Sequence, residues 1–260
     1  MPPIQLAEVA PDAATSAIPT TTEAVVLAAG NGDRFRNGTR HSKLLTPIAG
    51  TPLLLRTLEA AHTAGIATAH IVLGYDAVAV QALATSGAPE GLRLHFHRNE
   101  HWQQENGVSV LAARVCLNRR SFALMMGDHI FDPAVLKRLL HTPRQSGESL
   151  LAIDSGPVDP AIASEATKVR LDADRVTDIG KNLDPFDALD TGLFVCDPSL
   201  FASLAASCGR GDSTLSGGVR LLAARGLVRG VDIGDARWCD VDTLDDVAHA
   251  EGVLSPRTDA

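Results

Sequence analysis

The stretch AVVLAAGNGDRFRNGTRHSKLLTPIAGTP, residues 24–52, decides how this chain is read. Val25, Val26, Leu27, Ala28 and Ala29 form an apolar run that suits a buried strand, and the run breaks at Gly30-Asn31-Gly32. Asp33 and Arg34 follow at once, and Lys43 comes after a polar loop. Backbone N–H groups exposed at such a turn make a nest for anions, and Arg34 and Lys43 add full positive charge on the same rim. The plain reading is a strand ending in a glycine turn. The clustered cations favour the other reading, a phosphate cradle. A dinucleotide fingerprint does not fit, because Phe35 stands where a third glycine would let helix and strand pack closely. A P-loop does not fit either, because Gly32 is followed by Asp33 rather than by Lys and Ser or Thr.

Bulk properties narrow the field. With 260 residues, 45% of them hydrophobic, the chain can bury a substantial core in one large domain, expected over 23–254. A net charge of −8 argues against nucleic acid as a partner, since phosphate neutralisation needs a basic face. No apolar run approaches the ~20 residues of a membrane span, so no membrane role is expected. Residues 1–22 are rich in Pro, Ala and Thr and lack the cationic start of a signal peptide, and so read as a flexible extension; residues 255–260 read as a loose end. Cys116, Cys196, Cys208 and Cys239 form no CxxC pair, which suits scattered, reduced, mostly buried thiols in a cytoplasmic protein. Of the 23 Lys and Arg residues only Lys43, Lys137, Lys168 and Lys181 are lysine. A lysine kept against that bias points to a need for a compact point charge rather than a planar fork.

From residue 24 apolar strands alternate with amphipathic helices, the order of a mainly parallel sheet covered on both faces. Strands are expected at Ala24–Leu27, His70–Leu73, Leu92–His95, Ser121–Met125, Ser149–Ile153, Ala188–Val195 and Leu227–Asp232. Helices are expected at Leu53–Ala64, Ala77–Thr85, Ser109–Leu117, Ala134–His141, Pro198–Ala206, Leu215–Ala224 and Leu244–Glu251. Lys168–Leu171 and Arg175–Ile179 read as a hairpin turning at Asp172-Ala173-Asp174, an antiparallel interruption. Met125-Met126-Gly127-Asp128-His129 puts Asp128 at the carboxyl end of a strand, where open α/β sheets place their ligands. A carboxylate there suits Mg²⁺, which takes one or two carboxylates together with phosphate oxygens. Asp128 could instead cap the next helix, but Asp132, just before Pro133, fits that task better.

These motifs resemble the GT-A-like nucleotidyltransferases, the superfamily of MobA and the sugar-nucleotide pyrophosphorylases. The matching strings are LAAGNGDR, Lys43, Gly50-Thr51-Pro52-Leu53-Leu54, Gly127-Asp128 and the late Asp240-Val241-Asp242-Thr243; Ser42 stands where the family carries proline. The resemblance implies a three-layer αβα, Rossmann-like fold with a mixed, mainly parallel sheet. It further implies that Leu27, Ala28, Ala29, Gly30, Asn31 and Gly32 contact the nucleotide, and that Arg34 and Lys43 neutralise its triphosphate. Base recognition falls on Asn106, Gly107 and Ser109, which otherwise read as an ordinary helix start. Asp242 joins Asp128 as the second Mg²⁺ ligand, with Asp240 as helper on the same side of the chain; a plain helix cap is the alternative for Asp242. Lys181 holds the acceptor phosphorus group, with His129, Lys168, Asp190 and Thr191 around it; a surface lysine is the alternative for Lys168 and Lys181.

ENGVSVL, MGDHIFDP, ATKVRLDADRVTDIGKNLDPFDALDTGLF and WCDVDTLDD look most like inositol-1-phosphate cytidylyltransferases. The same subfamily includes the cytidylyltransferase domain fused to phosphoenolpyruvate mutase in fosfomycin-type biosynthesis. The expected reaction transfers CMP from CTP to a small phosphonate or phosphate, 2-hydroxyethylphosphonate before inositol 1-phosphate, and releases pyrophosphate. A biosynthetic domain fused to or paired with this one is a further implication. Two rivals stand beside this reading. One is a sugar-1-phosphate nucleotidyltransferase using another NTP; the other is a regulatory domain of the same fold, which would have shed the cations and carboxylates kept here.

Overall fold

The apolar run of the opening stretch forms β1 (Glu23–Ala28), a central strand, in the computed structural model, which describes residues 21–33, 35, 41–117, 119–157 and 160–255. The expected extension over 1–22 lies outside the described residues except for Thr21 and Thr22, as does the expected loose end beyond Ser255. After β1 come the 3-10 turn Lys43–Leu45, the short pair β2 (Pro47–Ile48) and β3 (Thr51–Pro52), α1 (Leu53–Ala64), β4 (Thr68–Leu73), α2 (Ala77–Gly87) and β5 (Arg93–Arg98). Next are α3 (Asn106–Ala112), α4 (Arg114–Leu117), β6 (Phe122–Met126), β7 (His129–Phe131), α5 (Pro133–His141), β8 (Ser149–Asp154) and α6 (Pro160–Glu165). The hairpin β9 (Lys168–Asp172) and β10 (Arg175–Gly180), β11 (Ala188–Cys196), α7 (Ser199–Cys208), α8 (Leu215–Ala223), β12 (Val228–Asp232), β13 (Trp238–Asp240) and α9 (Asp245–Leu254) complete the fold.

Nine strands form one sheet in the order β5-β4-β1-β6-β11-β8-β12-β10-β9. Pairings β5–β4, β4–β1, β1–β6 and β8–β12 are parallel, while β11 and β10 run against their neighbours. Seven of the nine strands therefore share one direction, the mixed, mainly parallel sheet expected from the sequence. Alternate β1 residues feed opposite cores. Val26 packs with Leu54 of α1, Val80 of α2 and Leu136 of α5, and Val25 with Val110 of α3, Phe201 of α7 and Val219 of α8. Helices on both faces make three layers.

Local chemistry sets the element ends. Gly65, at φ +108°, closes α1 in the left-handed conformation that glycine adopts most readily. Asp132 caps α5 as expected, its Oδ1 accepting from the Ala134 N–H at 2.9 Å ahead of Pro133. Some features were not expected. The strand placed at Leu92–His95 runs from Arg93 to Arg98, and the helix placed at Ser109–Leu117 begins at Asn106 and breaks at Ala113. The β7–β13 pair, too short to show a period, was not foreseen. Of the thiols, expected to be mostly buried, Cys196 and Cys239 are buried, Cys208 is half-buried and Cys116 is exposed.

Glu148, 1% exposed, fastens the C-terminal half of the sheet. Its Oε1 accepts from Arg175 Nη1 at 2.6 Å, and its Oε2 accepts from Arg229 Nη2 at 3.2 Å and the Gln145 N–H at 3.0 Å. Burial alone would raise this carboxyl, but the Arg229 and Gln145 hydrogen bonds and the two guanidinium charges hold it below the usual carboxylate range. A depressed folded pKa stabilises the fold above the ordinary carboxyl value of ~4.3, and the contribution is lost as pH falls below it. Glu148→Gln is expected to lower the unfolding free energy by about 3 kcal/mol in urea at neutral pH, with the difference narrowing in acid. A difference that does not depend on pH would contradict this role.

Candidate active site

Lys43 enters the protein through its 3-10 turn. Ser42 opens the turn at φ −62° and ψ 138°, with its Oγ accepting from the Leu44 N–H at 3.3 Å. That φ is also proline's, so the backbone accepts either residue. Serine adds an N–H that proline lacks, and it donates to Asp76 Oδ2 at 3.0 Å. The Lys43 stem packs on Gly32, where a Cβ would lie 3.1 Å from Cγ and Cδ of the lysine. Gly32 also sits at φ +59°, so glycine answers both the turn and the close approach. The glycine turn and the lysine are one unit.

Lys43 Nζ lies 2.7 Å from Asp128 Oδ2 and 2.6 Å from Asp242 Oδ1. Burial works against the lysine's charge, but Asp128 and Asp242 outweigh it and raise its pKa well above the ordinary value. Burial likewise pushes Asp128 up, and the Lys43 ammonium, helped by His129, brings it net below the usual carboxylate range. Asp128 sits in the turn between β6 and β7, where the Gly127 N–H donates to Leu27 O at 2.9 Å. Asp242 follows β13. Asp246 Oδ2 shapes the turn into α9 by accepting from the N–H groups of Asp242 and Thr243 at 2.9 and 2.7 Å. That leaves the Asp242 carboxylate on Lys43 rather than on a helix end. Two hard oxygen donors thus converge on one cation. Among the described residues, Asp240 does not join Asp128 and Asp242 in a set of three ligand atoms within 4.8 Å of one another.

A cleft of about 230 Å³ extends from Asp128 and Asp242 and is lined by Asp190, Asp240, Lys181 and Asn106 among others. His129 Nδ1 lies 2.9 Å from Thr191 O, so it carries the proton and donates, and Nε2 points towards Asp128 Oδ1 at 3.8 Å. Gly192, at φ +76°, makes room: a Cβ there would meet the His129 ring at 2.5 Å. Burial pushes the Asp190 carboxyl up to about 6, against the lowering effect of the Gly192 N–H and of His129. Burial, Asp242 and Asp128 also raise Asp240, against His129. Lys181 is exposed on the cleft wall, with no salt bridge to any described carboxylate.

Two expected acceptor contacts are placed differently. The Thr191 hydroxyl donates to Ala152 O at 2.8 Å inside the sheet, because neighbours on a strand face opposite ways and Asp190 has the cleft side. Thr191 reaches the site only through the carbonyl that holds His129. Lys168 is not on the cleft wall; its Nζ donates to Lys181 O at 2.8 Å and lies 5.7 Å from the Phe186 ring centre.

The residues expected to read the nucleotide divide. Around Gly30 a Cβ would meet nothing within 4 Å, so that edge of the turn is open. Leu27 O and Ala29 O accept from Gly127 and Tyr75 N–H groups, and Asn31 Nδ2 donates to Asp33 Oδ2 at 2.5 Å. Ala28 is buried at the end of β1. Arg34 lies outside the described residues. Asn106 reaches the cleft while its Oδ1 accepts from the Leu215 N–H at 2.8 Å. A Cβ on Gly107 would lie 2.6 Å from Ser213 O, and the buried Ser109 Oγ accepts from Asn99 Nδ2 at 2.9 Å. Gly107 and Ser109 therefore seat α3 on its neighbours. The sequence reading missed Trp238 as a wall residue: its indole N–H donates to Asp154 Oδ2 at 2.8 Å, and its ring stands between the cleft and a second cavity of about 470 Å³.

Residues 24–206 match the MobA-like NTP transferase domain model, and the chain belongs to that family of nucleotidyltransferases. It is 38% identical over 243 residues to the Bifunctional IPC transferase and DIPP synthase of Rubrobacter xylanophilus, covering 89% of this chain and 51% of that protein. It is 36% identical over 257 residues to the CMP-5'-(3-aminopropyl)phosphonate synthase of Streptomyces rubellomurinus, covering 90% and 39%. The chain thus spans about half the length, or less, of these curated relatives. The inositol-1-phosphate CTP transferase structure from T. maritima aligns with a TM-score of 0.77 at 23% identity, over 91% of this chain and 97% of that one. UDP-glucose pyrophosphorylase complexed with UDP-glucose aligns at 0.76 and 18% identity, over 90% and 98%. Both share the GT-A-like fold.

Replacing Lys43 by Met removes the charge that holds Asp128 down. In Lys43→Met the Asp128 carboxyl is expected to titrate at higher pH than in the wild type, read by carbon NMR of labelled aspartates, and turnover is expected to fall about 10²-fold. An unmoved Asp128 titration would contradict the pairing.

Proposed function

We propose that this nucleotidyltransferase moves CMP from CTP to a small phosphonate or phosphate acceptor and releases pyrophosphate. The observation that carries the reading is the Asp128–Lys43–Asp242 ion cluster at the head of a cleft that also presents Lys181. Cytidine as the base is supported by relatives whose names specify a CMP-phosphonate synthase and a CTP transferase.

An acceptor oxygen attacks the α-phosphorus in line; one P–O bond forms as the bond to pyrophosphate breaks. A phosphate or phosphonate oxygen is already ionised near neutral pH, so no general base is required. The open amides of Gly30, Asn31 and Gly32 bind the triphosphate beyond the floor made by Leu27, Ala28 and Ala29, with Arg34 and Lys43 neutralising its charge. Asn106 contacts the base, on a helix end seated by Gly107 and Ser109. Lys181 holds the acceptor, His129 and Asp190 face it, and Lys168 and Thr191 position Lys181 and His129 from behind. Asp128 and Asp242 fit Mg²⁺, being two carboxylates already drawn to one positive centre, and Asp240 lies beside them. When bound, Mg²⁺ supplies further neutralisation of the triphosphate.

The acceptor placed first is 2-hydroxyethylphosphonate, in phosphonate biosynthesis of the fosfomycin type. Polar groups on the cleft wall, including Asn106, Thr167 and Ser216, favour a second reading, inositol 1-phosphate, whose ring hydroxyls need several convergent partners. The enzyme would work in the cytoplasm on small molecules, with a second biosynthetic domain fused to it or paired with it. Among the described residues no helix is long and apolar enough to cross a membrane.

Pyrophosphate release with Mg²⁺, each of the four NTPs and each acceptor (2-hydroxyethylphosphonate, 3-aminopropylphosphonate, inositol 1-phosphate) tests the reading. CTP is expected to exceed the other nucleotides by ~10²-fold or more in kcat/KM; preference for another NTP, or inactivity with all three acceptors, overturns it. Asp128→Asn is expected to remove most turnover with an unchanged circular dichroism spectrum, and near-wild-type turnover would sink the metal assignment. Ionised Asp190 repels an anionic acceptor, so acceptor KM is expected to rise as pH climbs through about 6, where this carboxyl titrates. Asp190→Asn should flatten that rise, and an unchanged profile would rule out the repulsion.

A further inference from the structure

Away from the cleft, the edge strand β5 and its neighbour β4 carry three histidines on one face. His70 pairs with His95 across the strands, and His97 is two residues further along β5. The His95 and His97 rings stack on His70 at centroid distances of 5.0 and 5.1 Å. His70 is 4% exposed, a polar ring flanked by Ala69 and Ile71 in the fully buried strand TAHIVL. Its Nδ1 lies 2.9 Å from His97 Nε2. Its other nitrogen, Nε2, faces Glu23 Oε2 at 3.6 Å, and Glu23 Oε1 is itself held by Arg120 Nη1 at 2.6 Å. Cys116, on α4, covers the pair: His70, His97 and Cys116 bring one ligand atom each within 4.8 Å of one another.

We propose that His70, His97 and Cys116 form a binding site for a borderline-soft divalent transition ion, Zn²⁺ above all, separate from the nucleotidyl-transfer cleft. Two imidazole nitrogens and a thiolate select such ions over Mg²⁺ or Ca²⁺, which prefer oxygen. With Zn–N of ~2.05 Å and Zn–S of ~2.3 Å, a tetrahedral site separates nitrogens by ~3.3 Å and nitrogen from sulfur by ~3.6 Å. The histidine pair need open by only a few tenths of an ångström, and the exposed Cys116 side chain can follow. Glu23 stands where a histidine ligand usually donates its second N–H, to a carboxylate that fixes the tautomer. On binding, the His70–His97 hydrogen bond is replaced by two metal–nitrogen bonds and the His97 proton moves to Nδ1. The Cys116 thiol releases one proton to solvent. The fourth position is open to water beside Cys116. The ion ties the edge strand β5 to β4 and α4.

Titration of the metal-free full chain with Zn²⁺ alone against a chromophoric chelator, and with Co²⁺ as a spectroscopic probe, tests the site. One Zn²⁺ per chain is expected, with a thiolate-to-cobalt charge-transfer band. Cys116→Ser should abolish the band, and Cys116→Ser and His97→Gln should each weaken Zn²⁺ by ~10-fold or more; Glu23→Gln should weaken it by ~10-fold. These positions are at or near the surface, and circular dichroism confirms that each variant is folded. Asp128→Asn should leave Zn²⁺ affinity unchanged. Absence of the band, affinity unmoved in Cys116→Ser and His97→Gln, or affinity lost in Asp128→Asn would each overturn the proposal.

Discussion

A buried ammonium is costly unless opposite charge accompanies it, and Lys43 meets that condition only because Asp128 and Asp242 close on it from two sides. The three residues come from a 3-10 turn, the end of a central strand and the turn into the last helix. Each turn is therefore tied to the other two. The removal of either carboxylate leaves part of a buried charge uncompensated, and the removal of the lysine sets two carboxylates against each other. The charges that would meet a triphosphate are the ones that hold the pocket's walls together.

Around this cluster the backbone approaches where side chains would not fit. Gly32 lies on the Lys43 stem, Gly127 on Leu27 O, and Gly192 beneath the His129 ring. The effect is a site where a strand end presents Asp128 and two short turns bring Lys43 and Asp242 against it. The side proposed for the acceptor is built differently: Lys181 is exposed and reaches the cleft from a hairpin end, with its carbonyl accepting from Lys168 Nζ. Trp238 then sets how far the cleft extends towards the larger cavity beyond it.

The longer strands and helices were legible because their apolar periods are long and their punctuation is clear, as with Pro52 and the Asp132-Pro133 cap. Lys43 and Asp128 were legible through scarcity and position, one among four lysines, the other at a strand end. Asp242 was ambiguous in the sequence because a residue just before a helix can equally cap it. In the fold no side chain caps α9, and the Asp242 carboxylate accepts from Lys43. Thr191 was misplaced because its neighbour Asp190 takes the cleft side, and two adjacent strand residues cannot both face one pocket. Glu148, Trp238 and the histidine pair have no sequence signature, since each depends on partners far along the chain. The serine at position 42 weakened the family match, yet it holds proline's φ and puts its N–H to use.

The central claim is that Lys43 and Asp242 act as one electrostatic unit in nucleotidyl transfer. A double-mutant cycle on kcat with Lys43→Met and Asp242→Asn tests it most directly. If the unit is real, the double variant should be no slower than the slower single variant. Losses that simply multiply would mean that the two residues work independently, and would contradict the account.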